Sequence, residues 1–217
     1  MGAVFGKASV AEPAFEVLYK HSSNVKYEIR QYGERFAAEA PYNGDDGSSF
    51  KLLARYIGVF GKPENEGEQS IAMTAPVIKE SSAPKAIAMT APVIKSDSDQ
   101  KMQFILPAEY DSMSKIPKPT NPAVTIREIP PAKGAVHTFS GSWSDESGRK
   151  MAKDLAAQLQ KDGLSELTEE EVLKRYQWWG FNPPFTLPMF RRNEIWVPLT
   201  DVQADQLMRG FDTTHPN

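Results

Sequence analysis

The chain has 217 residues, of which 40% are hydrophobic and 24% charged, enough apolar material for one large packed core or two small ones. Its net charge of −3 argues against a general nucleic-acid binder, whose phosphate contacts need a surplus of Lys and Arg. Cysteine is absent, which excludes disulfides, thiolate nucleophiles and cysteine-based metal sites.

The first residues carry no secretory or transit pattern, and Gly6 stands where the myristoylation pattern wants Ser or Thr. No apolar run approaches the ~20 residues that span a bilayer. The expectation is a soluble, cytoplasmic protein without a membrane span. Residues 1–14 read as a loose arm, residues 15–199 as the domain and residues 200–217 as a C-terminal tail. FEVLY, from Phe15, reads as a short strand, with a turn over His21–Asn24. The stretch from Val25 then alternates, with Tyr27, Ile29 and Gln31 on one face and Glu28, Arg30 and Tyr32 on the other. Phe36–Tyr42 continues as a strand, and the polar NGDDGSS leads into a helix.

That helix, expected over Gly47–Lys62, has three faces. Ser48 or Ser49 is placed to cap its start, and Gly61 with Pro63 to end it. Leu52, Leu53, Tyr56, Ile57 and Phe60 form an apolar stripe wide enough to pack on a sheet. Phe50 and Ala54 lie at its margin. Beyond them Lys51, Arg55 and Lys62 make a basic edge, with a gap at Gly58. An apolar strip beside a cationic one suits a flat hydrophobic ligand that carries carboxylates. The same spacing also describes the solvated face of an ordinary amphipathic helix, and geometry alone leaves both readings open.

IAMTAPVIK occurs twice, at Ile71–Lys79 and Ile87–Lys95, offset by 16 residues. This is a tandem duplication of one strand, too short for a solenoid. One copy is expected in the sheet, and Pro76 or Pro92 favours an edge or a bulge. The other copy is a looped-out or added segment, open to a role in binding a protein partner. Lys101–Leu106 reads as a strand, followed by a Pro-rich connection. VTIREI and GAVHTFSG read as two more strands. A second helix is expected over Ser147–Asp162, and residues 164–175 form either a short helix or part of a strand. Tyr176–Phe181 and Glu194–Leu199 close the sheet around a Pro-rich loop, and VQADQLMRGF forms a short helix in the tail. Trp178 and Trp179 are adjacent, so one is expected in the core and the other facing out, at a rim or beside a ligand. The order of strands, helix and strands occurs twice, which fits an α+β domain with a pseudo-twofold plan.

Motifs for catalysis are missing. His21, His137 and His215 have no second ligand at a metal-binding spacing, and no nucleophile elbow, phosphate loop or dinucleotide fingerprint is present. The reading carries no catalytic residue and no metal ligand, and enzyme is not its default.

YEIRQYG at 27–33, KLLARYIGVFGKPE at 51–64, IAMTAPV at 71–77 or 87–93, FSG at 139–141 and FNPPFTLPMFRRNEIWVP at 181–198 together resemble the SOUL / heme-binding protein family, nearest to its cytosolic plant-type members. The resemblance implies a distorted eight-stranded antiparallel β-barrel in pseudo-twofold halves, with two long helices outside. It implies non-covalent binding of heme, and of related tetrapyrroles including metal-free porphyrins, in a shallow hydrophobic cleft along the first helix. The family's apolar cleft positions fall on Phe50 and Ala54, and its propionate-facing position falls on Arg55. Lys51, Gly58, Phe185 and Met189 complete the candidate binding set. Two departures stand out. Gln31 occupies the position where some members carry an axial histidine, and Thr186 stands about where others carry a lysine in the Pro-rich loop. Met73 and Met189 have sulfur that iron accepts, but no spacing places either beside it. The expectation is a carrier or buffer for tetrapyrroles without a strong axial ligand. A tetrapyrrole-modifying or heme-degrading enzyme and a protein-interaction module using the duplicated segment are the alternatives.

Overall fold

The computed structural model describes residues 10–80, except 23 and 43, and residues 100–212, except 143, 183 and 184. In chain order its elements are β1 (Phe15–His21), β2 (Tyr27–Tyr32), β3 (Arg35–Pro41), α1 (Asp46–Ile57), β4 (Val77–Glu80), β5 (Lys101–Ile105), β6 (Thr125–Ile129), β7 (Ala132–Phe139), α2 (Asp145–Lys161), α3 (Glu169–Arg175), β8 (Gln177–Gly180), β9 (Asn193–Leu199) and α4 (Asp201–Asp212). The strands form one antiparallel sheet in the order β1-β2-β7-β9-β8-β4-β5-β3-β6.

That order carries the expected pseudo-twofold. Exchanging β2 with β6, β3 with β7, β4 with β8 and β5 with β9 reverses the eight-strand run from β2 to β6 and leaves it unchanged. The same exchange turns α1 into α2, because each helix follows the third or seventh strand. The two halves meet at the β4–β8 ladder, where Ile78 faces Trp179. The related strands number eight, as in the barrel implied by the resemblance. β1 adds a ninth, and among the described residues no ladder joins it to β6, so the sheet curls as an open half-barrel instead of closing.

Both faces of the sheet are buried. On the outer face, α1 covers Phe36, Ala38, Met102 and Phe104, while α2, α3 and α4 cover Tyr27, Ile29, Ile195 and Val197. The inner face holds Tyr32, Ile78, Ile105, Trp179, Phe181 and Trp196. Double-sided burial corrects the reading of the paired tryptophans. Trp178 packs under α2 and Trp179 lies inside the curl, so neither faces solvent.

The first copy of the duplication supplies β4, and the second lies outside the described residues. β4 is central in the sheet, between β8 and β5, not at an edge. Pro76 is accommodated because it stands one residue before the strand, where it breaks no ladder hydrogen bond. His21 belongs to β1, not to a turn, and its ring stacks on Tyr27 at 4.7 Å. Residues 169–175 settle as helix, capped by the Thr168 hydroxyl, which accepts from Glu171 N at 3.2 Å.

Candidate functional site

α1 is shorter than its sequence pattern suggests, because each end is set by a different residue from those expected. The Asp45 carboxylate, not a serine, accepts from the Gly47 amide at 3.0 Å and starts the helix. Ser49 is buried and donates its hydroxyl to Pro41 O at 2.7 Å, anchoring α1 to the end of β3. Gly58 turns left-handed at φ 87° and ends the helix a turn before Gly61. Phe60 therefore falls beyond the helix and is 59% exposed instead of joining the packed stripe.

The start of α1 is fastened to the sheet by a buried cation. Lys79 Nζ on β4 lies 2.8 Å from Asp46 Oδ1 and 2.9 Å from Asp145 Oδ1. Its ammonium also stands over the Tyr42 ring at 4.8 Å and the Trp178 ring at 5.1 Å. One lysine thus gathers the first turns of both pseudo-equivalent helices.

On the exposed side of α1 a shallow hollow of about 330 Å³ is lined by Asp45, Gly47, Ser48, Lys51, Leu52 and Arg55. Lys51 and Arg55 are one helical turn apart and both exposed. Among the described residues neither makes an ion pair with a carboxylate. Asp45 is the acid in the lining, and it is engaged as the helix cap. The hollow therefore offers two cations unpaired among the described residues, a small apolar wall at Leu52 and room left by Gly47, which suits acid groups better than it suits a wide ring.

The other predicted positions are distributed differently. Ala54 is 0% exposed, at the centre of the face that packs on the sheet. Phe50 is half-buried against Phe104, with ring centroids 5.2 Å apart. Gly58 is the helix cap. Phe185 and Met189 are 65% and 71% exposed in the β8–β9 loop and do not line the hollow. That loop also exposes Leu187 and Phe190. It is held by Arg191 Nε donating to Thr186 O at 2.8 Å, and by Gly141 N donating to Pro188 O at 3.0 Å. Thr186, expected near a lost cation, is itself buried. Sequence reasoning missed Asp45, Gly47, Ser48 and Leu52 as lining. The helix cap was their available signal, since moving the start to Asp45 brings the first turn beside Lys51.

The inner face of the sheet holds a buried carboxylate, and it is neutralised. Glu194 is 0% exposed and lies 2.9 Å from both Arg30 and Arg192. Burial opposes the Arg30 cation, but the Glu194 charge and hydrogen bonds to Tyr32, Glu28 and Glu194 together more than offset it, and Arg30 is held charged. Glu194 with Arg30 and Arg192 forms a three-membered ion cluster inside the curl. Gln31 is exposed on β2, and His137 donates from Nδ1 to Lys26 O at 2.7 Å. Among the described residues no group of three His, Cys, Asp or Glu could hold a metal ion, and no helix is long and apolar enough to cross a membrane.

Comparison with known proteins agrees with the motifs. The family model of the SOUL heme-binding protein matches residues 10–198. No curated protein matches the chain. Among solved structures, the C-terminal domain of EcmrR is 12% identical with a TM-score of 0.48, covering 80% of this chain and 96% of that one. A hydrolase from Listeria innocua is 11% identical with a TM-score of 0.46, over 83% and 94% of the two chains. SAV2435 bound to tetraphenylphosphonium is 10% identical with a TM-score of 0.39, over 82% and 96%. Likenesses this low carry no argument about this chain. With the family model spanning most of its length, over the same segments whose motifs the sequence displays, the chain belongs to the SOUL heme-binding protein family.

Proposed function

We propose that this protein binds a tetrapyrrole non-covalently along the exposed side of α1, with the ligand's carboxylates at Lys51 and Arg55, and acts as a carrier or buffer and not as a catalyst. The observation that carries the reading is the hollow in which those two side chains stand together with no carboxylate partner among the described residues. Family membership supports heme as the ligand class. Leu52 supplies the apolar wall of the hollow and half-buried Phe50 is the nearby aromatic on the same helix, while Phe185 and Met189, exposed in the β8–β9 loop outside the hollow, remain proposed ring contacts. Ala54 acts from beneath, by letting α1 sit close on the sheet.

In this reading iron contributes little to affinity. Gln31 in the family's histidine position is a poor iron ligand, so the ring and its acid groups do the binding. When bound, heme would supply its own redox chemistry, while this chain's residues hold the acid groups and shield one face. The test is a comparison of hemin with metal-free protoporphyrin by fluorescence quenching of the tryptophans. Affinities within about tenfold of each other (about 1.4 kcal/mol) are expected. Hemin binding a hundredfold or more tighter would mean a strong axial ligand and would overturn the metal-indifferent account.

A further inference from the structure

A second cavity, of about 230 Å³, opens beside the start of α2, at the end of β4 and the beginnings of β5 and β8. It shares no lining residue with the hollow along α1. Its floor is closed by its own contacts. Lys79 Nζ lies 2.8 Å from Asp46 Oδ1, and it donates to Asp145 Oδ1 at 2.9 Å and to the Tyr42 hydroxyl at 3.3 Å. That hydroxyl in turn donates to Asp145 Oδ2 at 3.2 Å. Glu80 is engaged as well, since its two oxygens accept from Gln177 at 2.8 Å and from Arg127 at 2.9 Å. Both carboxylates of the lining are therefore taken, and so is its buried cation.

The rest of the polar lining is different. Arg149 is exposed on α2, and Gln100 and Tyr176 are half-buried. Among the described residues the side chains of these three make no hydrogen bond and no ion pair. Arg149 is the informative one. Asp145 precedes it by four residues on the same helix, a spacing at which acid and base readily pair, and Lys150 pairs in that way with Asp154 at 3.0 Å. The oxygens of Asp145 are directed instead to Lys79 and Tyr42. The guanidinium is left at the cavity with its fork of donors and no carboxylate to meet them among the described residues. The Tyr176 hydroxyl is close enough to Asp145 and Arg149 to feel both charges, and burial chiefly raises its pKa, so it remains a donor through the neutral range. Donor groups that line one cavity after its acceptors are taken are complementary to an anion. Size narrows the class. A volume of about 230 Å³ holds about eight groups of water size, enough for one ring with a carboxylate and far too little for a tetrapyrrole.

We infer that this cavity is a second binding site, for a small aromatic carboxylate, with the acid group at Arg149 and the Tyr176 hydroxyl. Tyr42, Tyr176 and Trp178 supply the aromatic surface that the ring meets. The site stands independently of tetrapyrrole binding along α1.

The test is an isothermal titration of the full chain with benzoate and, separately, with benzamide, which has the same shape without the charge. Benzoate should bind saturably at one site, and benzamide about tenfold more weakly or not measurably. Arg149→Gln, at an exposed position, should keep the natural Tm and weaken benzoate about tenfold, while Arg149→Lys, which keeps the charge, should retain most of the affinity. Lys51→Glu with Arg55→Glu should leave benzoate binding unchanged. No saturable binding up to about 10 mM, equal affinity for benzamide, or an Arg149→Gln variant that binds benzoate as the natural chain does would each overturn the inference. Loss of benzoate binding in the Lys51→Glu, Arg55→Glu variant would overturn it too, because the acid would then sit in the hollow along α1.

Discussion

Lys79 Nζ and Asp46 Oδ1 lie 2.8 Å apart, and this contact pins the first turn of the helix bearing the candidate site to a central strand of the sheet. The lysine side chain is 7% exposed while the aspartate is 44% exposed, so solvent screens the pair from one side.

Asp46→Asn keeps the helix start but removes that charge. With Asp145 still paired to Lys79, the expected cost is about 0.5–1 kcal/mol, seen as a fall in Tm of about 1–4 °C for a domain of this size. A thermal melt checks it, and an unchanged Tm would mean that Asp145 alone holds the lysine.

Gly134 on β7 has an ordinary strand conformation, where alanine normally stabilises. Here an added Cβ would stand 2.5 Å from the Trp196 ring, which packs in the inner core and cannot swing aside. Gly134→Ala should therefore destabilise, by about 1–3 kcal/mol, measured by urea unfolding. Gly148→Ala is the matching substitution on the other face, with a Cβ 2.7 Å from the Trp178 ring.

Alkaline pH should unfold the protein through its buried tyrosines. Tyr27 is raised above the ordinary value by burial and by its hydrogen bond to Asp162, and Tyr42 and Tyr56 are raised chiefly by burial. A tyrosine held protonated in the folded state binds a proton that the unfolded chain has already released above pH ~10. Stability from this source is complete below that pH and falls above it, by about 1.4 kcal/mol per pH unit for each such tyrosine. Tyr27→Phe should flatten the slope of stability against pH between 10 and 12 by about one such increment, after correction for the lost hydrogen bond at neutral pH.

Much of this architecture is written in short-range patterns. The alternation places Tyr27 and Ile29 on the helix-covered face and Arg30 and Tyr32 inside the curl, while Gln31 near the end of the strand is exposed. The repeated order of strands and helix foretells a sheet whose strand order reverses onto itself. What the sequence hides is settled by tertiary contact. Alternation cannot reveal that both faces are covered, so the burial of Trp178 together with Trp179 is invisible locally. Ala54 looks marginal on a helical wheel but lies at the centre of the buried face, because α1 packs through Leu53, Ala54 and Ile57 and not around Phe60. The meeting of Asp46, Lys79 and Asp145 joins three elements distant in sequence, and no spacing rule anticipates it.

Asp45 contributes one more prediction for the hollow. Its carboxylate caps α1 and also stands among the groups that would meet an anionic ligand. Asp45→Asn retains a capping oxygen and removes the negative charge. Hemin binding should tighten about two- to fivefold at low salt, with the gain shrinking as salt is raised. An isothermal titration at two ionic strengths checks it.

The most direct measurement is a hemin titration followed by Soret absorbance, on the natural chain and on Lys51→Glu with Arg55→Glu. Saturable one-to-one binding, weakened tenfold or more by the reversal (about 1.4 kcal/mol) while Tm stays within a few degrees, is the expected result. A reversal variant that binds hemin as tightly as the natural chain would contradict the account, because the carboxylates would then lie away from α1.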